Sequence, residues 1–212
     1  MTVKEEYHSK LAQTIIQNLS KRQMEGFYCP TAKDACEKAL SLIHPDSSVS
    51  FGGSMTLEES GILPALRARE DLHLIDRTKA GTPEETRKCY LDAFDADHYF
   101  MSTNAITLDG ELINIDGNGN RVAALIYGPR QVIIVAGMNK VVTDIPSGVR
   151  RVRNSATPPN CIRLNKNTPC AATGTCSDCL SPDCICNQIV ITRRSGSPDR
   201  IKVILVGEEL GY

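Results

Sequence analysis

The stretch Gln131-Val132-Ile133-Ile134-Val135-Ala136 decides the fold of this chain. A short apolar run without alternating polar residues is typical of a strand that is buried on both faces of a sheet. Outward from this run, strand-like and helix-like segments alternate through most of the sequence. Such alternation predicts an α/β fold in which helices cover both faces of a parallel sheet, a three-layer sandwich.

Hydrophobic periodicity places the other elements. Helices are predicted over residues 3–19 (closed by Gly26), 31–43, 82–95 and 143–155, with a further helix that opens at Thr56. Strands are predicted at residues 27–29, 48–51, 72–75, 98–101, 189–192 and 201–206, while residues 121–127 have no clear type. These elements divide into an α/β domain at 1–157, a cysteine-rich segment at 158–187 and closing strands of the same domain at 188–212.

Three helix starts and one helix end carry specific signals. Thr31 with Asp34 resembles a helix N-cap. Thr56 with Glu59 and Thr82 with Glu85 have the spacing of a capping box, and Pro83 suits a first helical position. The Pro-Pro pair within residues 157–160 is expected to break the preceding helix.

Charge and composition exclude several classes of protein. The 212 residues carry 24 basic and 25 acidic side chains in a mixed pattern, so no nucleic-acid partner and no anionic membrane surface are expected. The amphipathic N-terminus does not resemble a signal peptide, and no apolar run is long enough for membrane insertion. The expected location is cytoplasmic, where the nine cysteines would serve as thiols or metal ligands.

A long polar stretch, residues 102–121, separates two apolar runs. Polar segments of this length between core elements are usually loops that bind or catalyse. Asp109-Gly110 predicts a tight hairpin, and the Gly-Asn run at 117–120 tolerates positive φ. A binding or catalytic loop is therefore predicted, and the alternative is a decorated surface turn.

A glycine turn, Gly52-Gly53-Ser54-Met55-Thr56, follows the strand predicted at 48–51. Free amides at the start of the next helix favour an anion or a carboxylate. The turn lacks the Walker and dinucleotide spacings. The alternative is a tight turn with a Ser or Thr cap. In parallel sheets ligands bind beyond the carboxyl ends of the strands, where both this turn and the polar stretch are expected.

The candidate site residues come from these two segments. Glu111 and Asp116 are the predicted catalytic carboxylates, with solvated hairpin carboxylates as the alternative. Arg121 is the predicted cation for a substrate carboxylate or phosphate, although it could instead pair with Asp116. The predicted ligand-binding set is Gly52, Gly53, Ser54, Thr56, Asn104, Thr107, Asn114, Asn120 and Arg121.

Five cysteines are concentrated within residues 170–186. Close-packed thiolates bind an iron–sulfur cluster or, alternatively, zinc. The predicted ligands are Cys170, Cys176, Cys179 and Cys186, with Cys184 as an extra or substitute ligand. The other interpretation is a set of reduced thiols. Of the remaining cysteines, Cys29, Cys36 and Cys89 are expected to be core residues. Cys161 has no assigned role.

Several motifs together resemble the LUD (lactate utilisation) domain family. They are Gly52-Gly53-Ser54-Met55-Thr56-Leu57-Glu58-Glu59, residues 104–111, residues 114–121, Val206-Gly207-Glu208-Glu209-Leu210-Gly211-Tyr212 and the cysteine-bearing pieces at 168–170, 174–182 and 185–187. The last group resembles a cysteine-bearing variant of the family, in which a basic residue is usual at the position of Cys184.

The resemblance implies a fold like those of ribose-5-phosphate isomerase, glucosamine-phosphate deaminase and coenzyme A transferases. It also implies a role in a multi-protein system that oxidises L-lactate to pyruvate, with partner subunits that carry iron–sulfur clusters. The isomerase-like relatives have an acidic residue near the start of the polar loop. Asn104 or Ala105 stands there in this chain, which argues against a sugar-isomerase mechanism.

Three functions are compatible with the sequence. The first is a subunit of a lactate-oxidising system that binds a small carboxylate or phosphorylated ligand and a cluster. The second is a stand-alone enzyme for a phosphosugar or acyl-coenzyme A, with structural zinc. The third is a non-catalytic module that binds a metabolite and docks a partner.

Overall fold

The computed structural model describes residues 2–212, which form helices around two sheets. The helices are α1 Val3–Lys21, α2 Ala32–Ser41, α3 Met55–Glu59, α4 Ile62–Arg67, α5 Pro83–Asp92, α6 Asn120–Ile126, α7 Ile145–Arg151, α8 Thr157–Arg163 and α9 Pro169–Thr173. The strands are β1 Glu25–Cys29, β2 Ser48–Phe51, β3 His73–Ile75, β4 His98–Met101, β5 Ala105–Thr107, β6 Leu112–Asp116, β7 Gln131–Gly137, β8 Val141–Val142, β9 Gln188–Thr192 and β10 Ile201–Val206.

The main sheet has six parallel strands in the order β1-β10-β7-β4-β2-β3. The predicted α/β class with a parallel sheet is confirmed. β7 contains the apolar run at residues 131–136, and it lies between β10 and β4. Because all six strands point the same way, their carboxyl ends meet along one edge of the sheet.

Alternate residues of β7 pack on opposite faces of the sheet, as the period of a strand requires. Val132 and Ile134 lie in a buried cluster with α1 and α6, and Ile133 and Val135 lie in a second cluster with α2, α3 and α4. Helices therefore cover both faces, and the three-layer arrangement is confirmed.

The helix starts follow their capping signals with one exception. Thr31 and Thr82 each accept from the backbone N–H three residues later, and the capping box at Thr82 with Pro83 is confirmed. The capping box predicted at Thr56 is wrong. Ser54 caps α3, because its Oγ accepts from Leu57 N at 3.3 Å.

Replacing Thr82 by alanine is expected to lower the free energy of unfolding by about 1 kcal/mol, since the N–H of Glu85 loses its acceptor. Urea denaturation measures the change. Thr82→Ser keeps the oxygen and should stay within about 0.5 kcal/mol of the wild type. Equal losses in the two variants would contradict a capping role.

The polar stretch 102–121 forms a buried hairpin, so a simple surface loop is the wrong description. β5 and β6 pair antiparallel around Asp109-Gly110, as that pair predicted. Gly110 has a φ of +87°, and a Cβ there would lie 3.2 Å from the backbone nitrogen of Leu19. Only glycine suits this turn, which packs directly on α1.

The hairpin belongs to a second, four-stranded sheet in the order β8-β5-β6-β9. Every residue of β6 is buried. Of the two closing strands predicted near the end of the chain, β9 pairs with β6, while β10 lies inside the main sheet.

The helix expected to end before the Pro-Pro pair instead continues. α7 passes through a wider π-helical turn at residues 152–156 into α8, and Pro158 and Pro159 occupy the first turn of α8. Proline is tolerated there because the first-turn N–H groups have no acceptor within the helix. The segment of uncertain type at 121–127 is helix α6, and part of the cysteine-rich segment forms α9.

Within residues 2–212, none of the helices combines the length and the apolar character needed to span a bilayer.

Candidate functional site

A cavity of about 490 Å³ opens at the carboxyl edge of the main sheet. The segments that follow four parallel strands line it. They contribute the glycine turn after β2, Arg77 after β3, the start of the polar stretch after β4 and Lys140 after β7. The structure thus brings the glycine turn and part of the polar stretch together, at the edge where parallel sheets usually bind ligands.

Positive charge dominates this cavity. Its basic lining residues are Arg77, Arg121, Lys140, Arg163 and Lys166, and its acidic lining residues are Asp116 and Asp183. Asp183 accepts from the N–H of Asn167 and Asp116 is occupied by neighbouring groups. The balance favours an anionic occupant.

The glycine turn is shaped by the arginines on either side of it. A Cβ at Gly52 would lie 3.2 Å from Cδ of Arg121, and a Cβ at Gly53 would lie 2.5 Å from an Nη of Arg77. Both glycines therefore allow a guanidinium side chain to approach the backbone closely. Ser54 lines the cavity while its hydroxyl caps α3.

Arg121 is enclosed by acceptors from its own hairpin. Its acceptors are Ser102 O at 3.0 Å, Asn114 Oδ1 at 2.7 Å, Asn104 Oδ1 at 2.9 Å and Ile115 O at 2.9 Å, and its Nε lies 3.4 Å from Asp116 Oδ2. Its five N–H groups are thus engaged. Burial lowers the pKa of Arg121, and the nearby Asp116 opposes that shift. Arg121 holds the polar stretch in place. A ligand could bind to Arg121 only by displacing one of these contacts.

The other polar residues of the hairpin lock its shape. Asp116 Oδ1 accepts from the N–H groups of Asn118 and Gly119 at 3.2 and 2.9 Å. Asn104 accepts from Ile115 N at 3.0 Å, and Asn114 Oδ1 lies 3.3 Å from Asn104 N. Asn120 lines the cavity at the start of α6.

Thr107 and Glu111 lie outside the cavity lining, near the far end of the hairpin. The Thr107 hydroxyl donates to Glu111 Oε2 at 2.6 Å, and Arg22 Nη2 donates to Glu111 Oε1 at 2.9 Å. The structure does not bring these two predicted site residues to the others. Their contacts join the hairpin to the end of α1.

Lys140 is a buried cation at the cavity that the sequence analysis missed. It is 3% exposed, and its Nζ lies 2.6 Å from Thr56 Oγ1 and 2.9 Å from Ser102 Oγ. Burial, reinforced by the positive charges of Arg151 and Arg121, lowers the pKa of Lys140 to about 7. The amine is therefore partly neutral near pH 7.

Arg77 is the second cation that the sequence analysis missed. Its Nη1 donates to Tyr90 Oη at 3.1 Å, and its Nε is buried without a hydrogen-bond partner. Across residues 2–212, no carboxylate lies within 4.0 Å of this guanidinium. Unlike Arg121, Arg77 therefore has N–H groups available to an anion in the cavity.

The position of each missed residue in the sequence offered a signal. Arg77 comes two residues after β3 and Lys140 comes three residues after β7. Basic residues that directly follow parallel strands fall at the ligand-binding edge. The glycine turn and polar stretch were recognised by composition, whereas single cations after a strand have no compositional signature.

The cysteine-rich segment brings thiols together in pairs. Cys161 lies near Cys170, and Cys184 lies near both Cys179 and Cys186. Burial raises the pKa of both Cys161 and Cys186 to about 11.

These pairs do not make a ligand set. Within residues 2–212, no three Cys, His, Asp or Glu side chains are placed to hold a metal ion. The predicted ligands Cys170, Cys176, Cys179 and Cys186 therefore do not fit a cluster or zinc as they are placed. Cys161, which had no role in the prediction, contacts this group, and Cys184 lines the cavity.

Comparison with known proteins decides the family. The profile of the LUD domain matches residues 12–206, which is nearly the whole chain. The chain belongs to the LUD domain family. This confirms the resemblance found in the sequence, and the family is associated with lactate utilisation.

Similar solved structures agree with this assignment. A DUF162 family protein from Deinococcus radiodurans is 14% identical, with a TM-score of 0.53 over 94% of this chain and 98% of that chain. Ribose 5-phosphate isomerase A from Methanocaldococcus jannaschii is 17% identical over 76% of each chain, with a TM-score of 0.36. The first likeness shows a shared fold alone, and the second score is too low to support an argument.

One curated relative matches a part of the chain. Rhizopuspepsin-2 from Rhizopus niveus is 33% identical over 76 residues, which are 36% of this chain and 19% of that protein. The chain thus spans about a fifth of the length of this relative.

Proposed function

We propose that this LUD domain protein binds a small carboxylate, L-lactate or pyruvate, in the cavity at the edge of the main sheet. One observation carries the proposal: Arg77 lines the cavity and has no carboxylate within 4.0 Å among residues 2–212, whereas Arg121 is saturated by its own hairpin. A hydrogen bond from the Arg77 guanidinium to a carboxylate would be charge-assisted, which makes it about twice as strong as a neutral one.

The volume and the polar lining of the cavity suit a small ligand. Its volume of about 490 Å³ is modest among ligand pockets. Asn104 and Asn120 line the same space and offer amide groups to a hydroxyl or a carbonyl oxygen. A phosphorylated ligand would use the same cation, so the experiment below separates it from a carboxylate.

We further propose that the chain acts as a cytoplasmic subunit of a lactate-oxidising system. The support is the family's association with lactate utilisation. The free thiols of all nine cysteines are compatible with a reducing compartment. In this proposal the chain binds lactate or its product, and partner subunits with iron–sulfur clusters carry the electrons.

A cluster or zinc in the cysteine-rich segment stays a prediction, and no step of the proposed function passes through a metal. Iron, sulfide and zinc assays on anaerobically purified protein test it. Iron matched by sulfide would support the cluster, and stoichiometric zinc would support the zinc site. A protein without either metal would support the interpretation that the cysteines are reduced thiols.

Replacing Arg77 by alanine is expected to weaken binding of lactate or pyruvate about 10- to 100-fold, the usual cost of losing a charge-assisted hydrogen bond. Isothermal calorimetry measures the affinities of L-lactate, pyruvate and inorganic phosphate. Arg69→Ala is the matched control, because Arg69 pairs with Asp71 away from the cavity lining.

The proposal predicts that the Arg69 variant keeps the affinity of the wild type. Binding of inorganic phosphate with no binding of lactate or pyruvate would move the assignment to a phosphorylated ligand. Unchanged affinity in the Arg77 variant would contradict the proposed site.

A further inference from the structure

The hydrogen bonds around Lys140 match a neutral amine. Nζ lies within hydrogen-bond distance of two hydroxyls, those of Thr56 and Ser102. Each hydroxyl proton is already committed, since Thr56 Oγ1 donates to Leu210 O and Ser102 Oγ donates to Thr103 O, both at 3.2 Å. Both hydroxyls must therefore accept from Lys140.

These two acceptors account for two N–H groups of the lysine. A neutral amine has two N–H groups and a lone pair, whereas an ammonium has a third N–H that needs an acceptor. The pair of acceptors thus satisfies the neutral form completely. The lone pair of that form is left over for chemistry.

The charges around Lys140 favour the same form. The positive charges of Arg151 and Arg121 disfavour a proton on Lys140. Arg151 is held in place by donating to Asn139 O at 2.9 Å and to Asn104 O at 2.7 Å. Glu59 attracts a proton to Lys140, but its Oε2 accepts from Gly211 N at 2.6 Å. Within residues 2–212, no carboxylate lies within 4.0 Å of Nζ.

The glycine turn connects this amine with the free cation. Gly53 packs against Arg77, and Thr56 contacts Lys140. Arg77 and Lys140 also line the same cavity. A neutral lysine beside an arginine is suited to a molecule that carries a carbonyl next to a carboxylate.

We propose that Lys140 forms an imine with the keto group of a 2-oxo acid whose carboxylate is held by Arg77. The inference rests on the proposed function and extends it from binding to covalent capture. The Nζ lone pair attacks the carbonyl carbon and forms a C–N bond. Both amine protons leave with the carbonyl oxygen as water, which gives the C=N bond with no net oxidation or reduction.

Reductive trapping tests the proposal. The wild-type chain is incubated with pyruvate and cyanoborohydride, and the modified peptide is identified by mass spectrometry. We expect one adduct, on Lys140, which is absent in Lys140→Arg and Lys140→Met and retained in Lys88→Arg, because Lys88 is exposed and pairs with Asp92. L-lactate has no carbonyl, so it should form no adduct and should suppress the adduct of pyruvate.

Peptide mapping of the wild-type chain decides the result even if a variant fails to fold. No adduct, or modification spread over exposed lysines with Lys140 untouched, would overturn the imine. If calorimetry still shows that lactate binds and Arg77→Ala weakens it, the proposed function survives that failure. If lactate and pyruvate also fail to bind, both proposals are wrong.

Discussion

Replacing Arg121 by alanine is expected to lower the free energy of unfolding by about 3–5 kcal/mol, the usual cost of breaking a buried ion pair from one side. The Arg121 side chain is largely buried, and its partners lie on β6 and on the segment between β4 and β5. Its removal leaves Asp116 without its cation and several carbonyl oxygens without a donor. Urea denaturation monitored by circular dichroism measures the loss.

Arg130→Ala is the matched control for Arg121→Ala. Arg130 is 80% exposed and lies 3.4 Å from Asp97, so its removal should change stability by about 0.5 kcal/mol or less. A loss below about 1 kcal/mol in the Arg121 variant would show that the hairpin does not depend on this side chain. It would restore Arg121 as a candidate ligand cation.

Replacing Lys140 by methionine is expected to raise the free energy of unfolding at pH 7 by about 2–4 kcal/mol. Burial penalises the ammonium in the native state, while the unfolded chain carries it without cost. Methionine fills a similar volume and needs no proton, although its two lost hydrogen bonds offset part of the gain. The melting temperature should rise by several degrees, since about 1 kcal/mol corresponds to about 2–4 °C at this chain length.

The pH dependence of the stability gained by Lys140→Met identifies the cause of that gain. Unfolded Lys140 keeps its proton up to a pKa of 10.5, whereas the native side chain releases it near a pKa of about 7. Between these values the unfolded state binds more protons, so the wild-type chain gains stability as pH rises. The advantage of the methionine variant should therefore be largest at pH 7 and below, and should vanish towards pH 10.

Denaturation of both proteins at several pH values measures this difference. Lys88→Met is the control, because Lys88 is exposed and its ion pair with Asp92 lies on the surface. If the difference in the free energy of unfolding between Lys140→Met and the wild type did not change with pH, a buried amine with a lowered pKa would be contradicted.

The main sheet was predictable because its signals are local. The apolar run of β7 and the caps at Thr31 and Thr82 act within a few residues, and the structure reproduces them. The end of α7 was not predictable in this way. Pro158 and Pro159 break a regular helix, but the wide turn before them lets α8 begin with proline in its first turn.

The second sheet shows why polar composition misled the prediction. Asn114 and Asp116 read as loop residues, yet both are buried in β6. From the following helix, Arg121 donates to Asn114 Oδ1 and pairs with Asp116, so this polar strand depends on a tertiary partner. Propensity alone contains no information about such a partner.

Part of the candidate site was predictable for the same local reasons. Gly53, Ser54 and Thr56 line the cavity where the strand order placed them. Lys140 was missed because its environment is assembled from distant parts of the chain, and Thr56 lies 84 positions before it in the sequence. Arg77 was missed because its lack of a partner can be seen only in three dimensions.

A crystal structure of the chain grown with pyruvate would show whether the cavity holds a 2-oxo acid. We expect density for one pyruvate in the cavity, with its carboxylate on Arg77 and its carbonyl carbon facing Nζ of Lys140. An empty cavity at saturating pyruvate, or pyruvate bound instead in the surface hollow between Arg22 and Arg193, would contradict it.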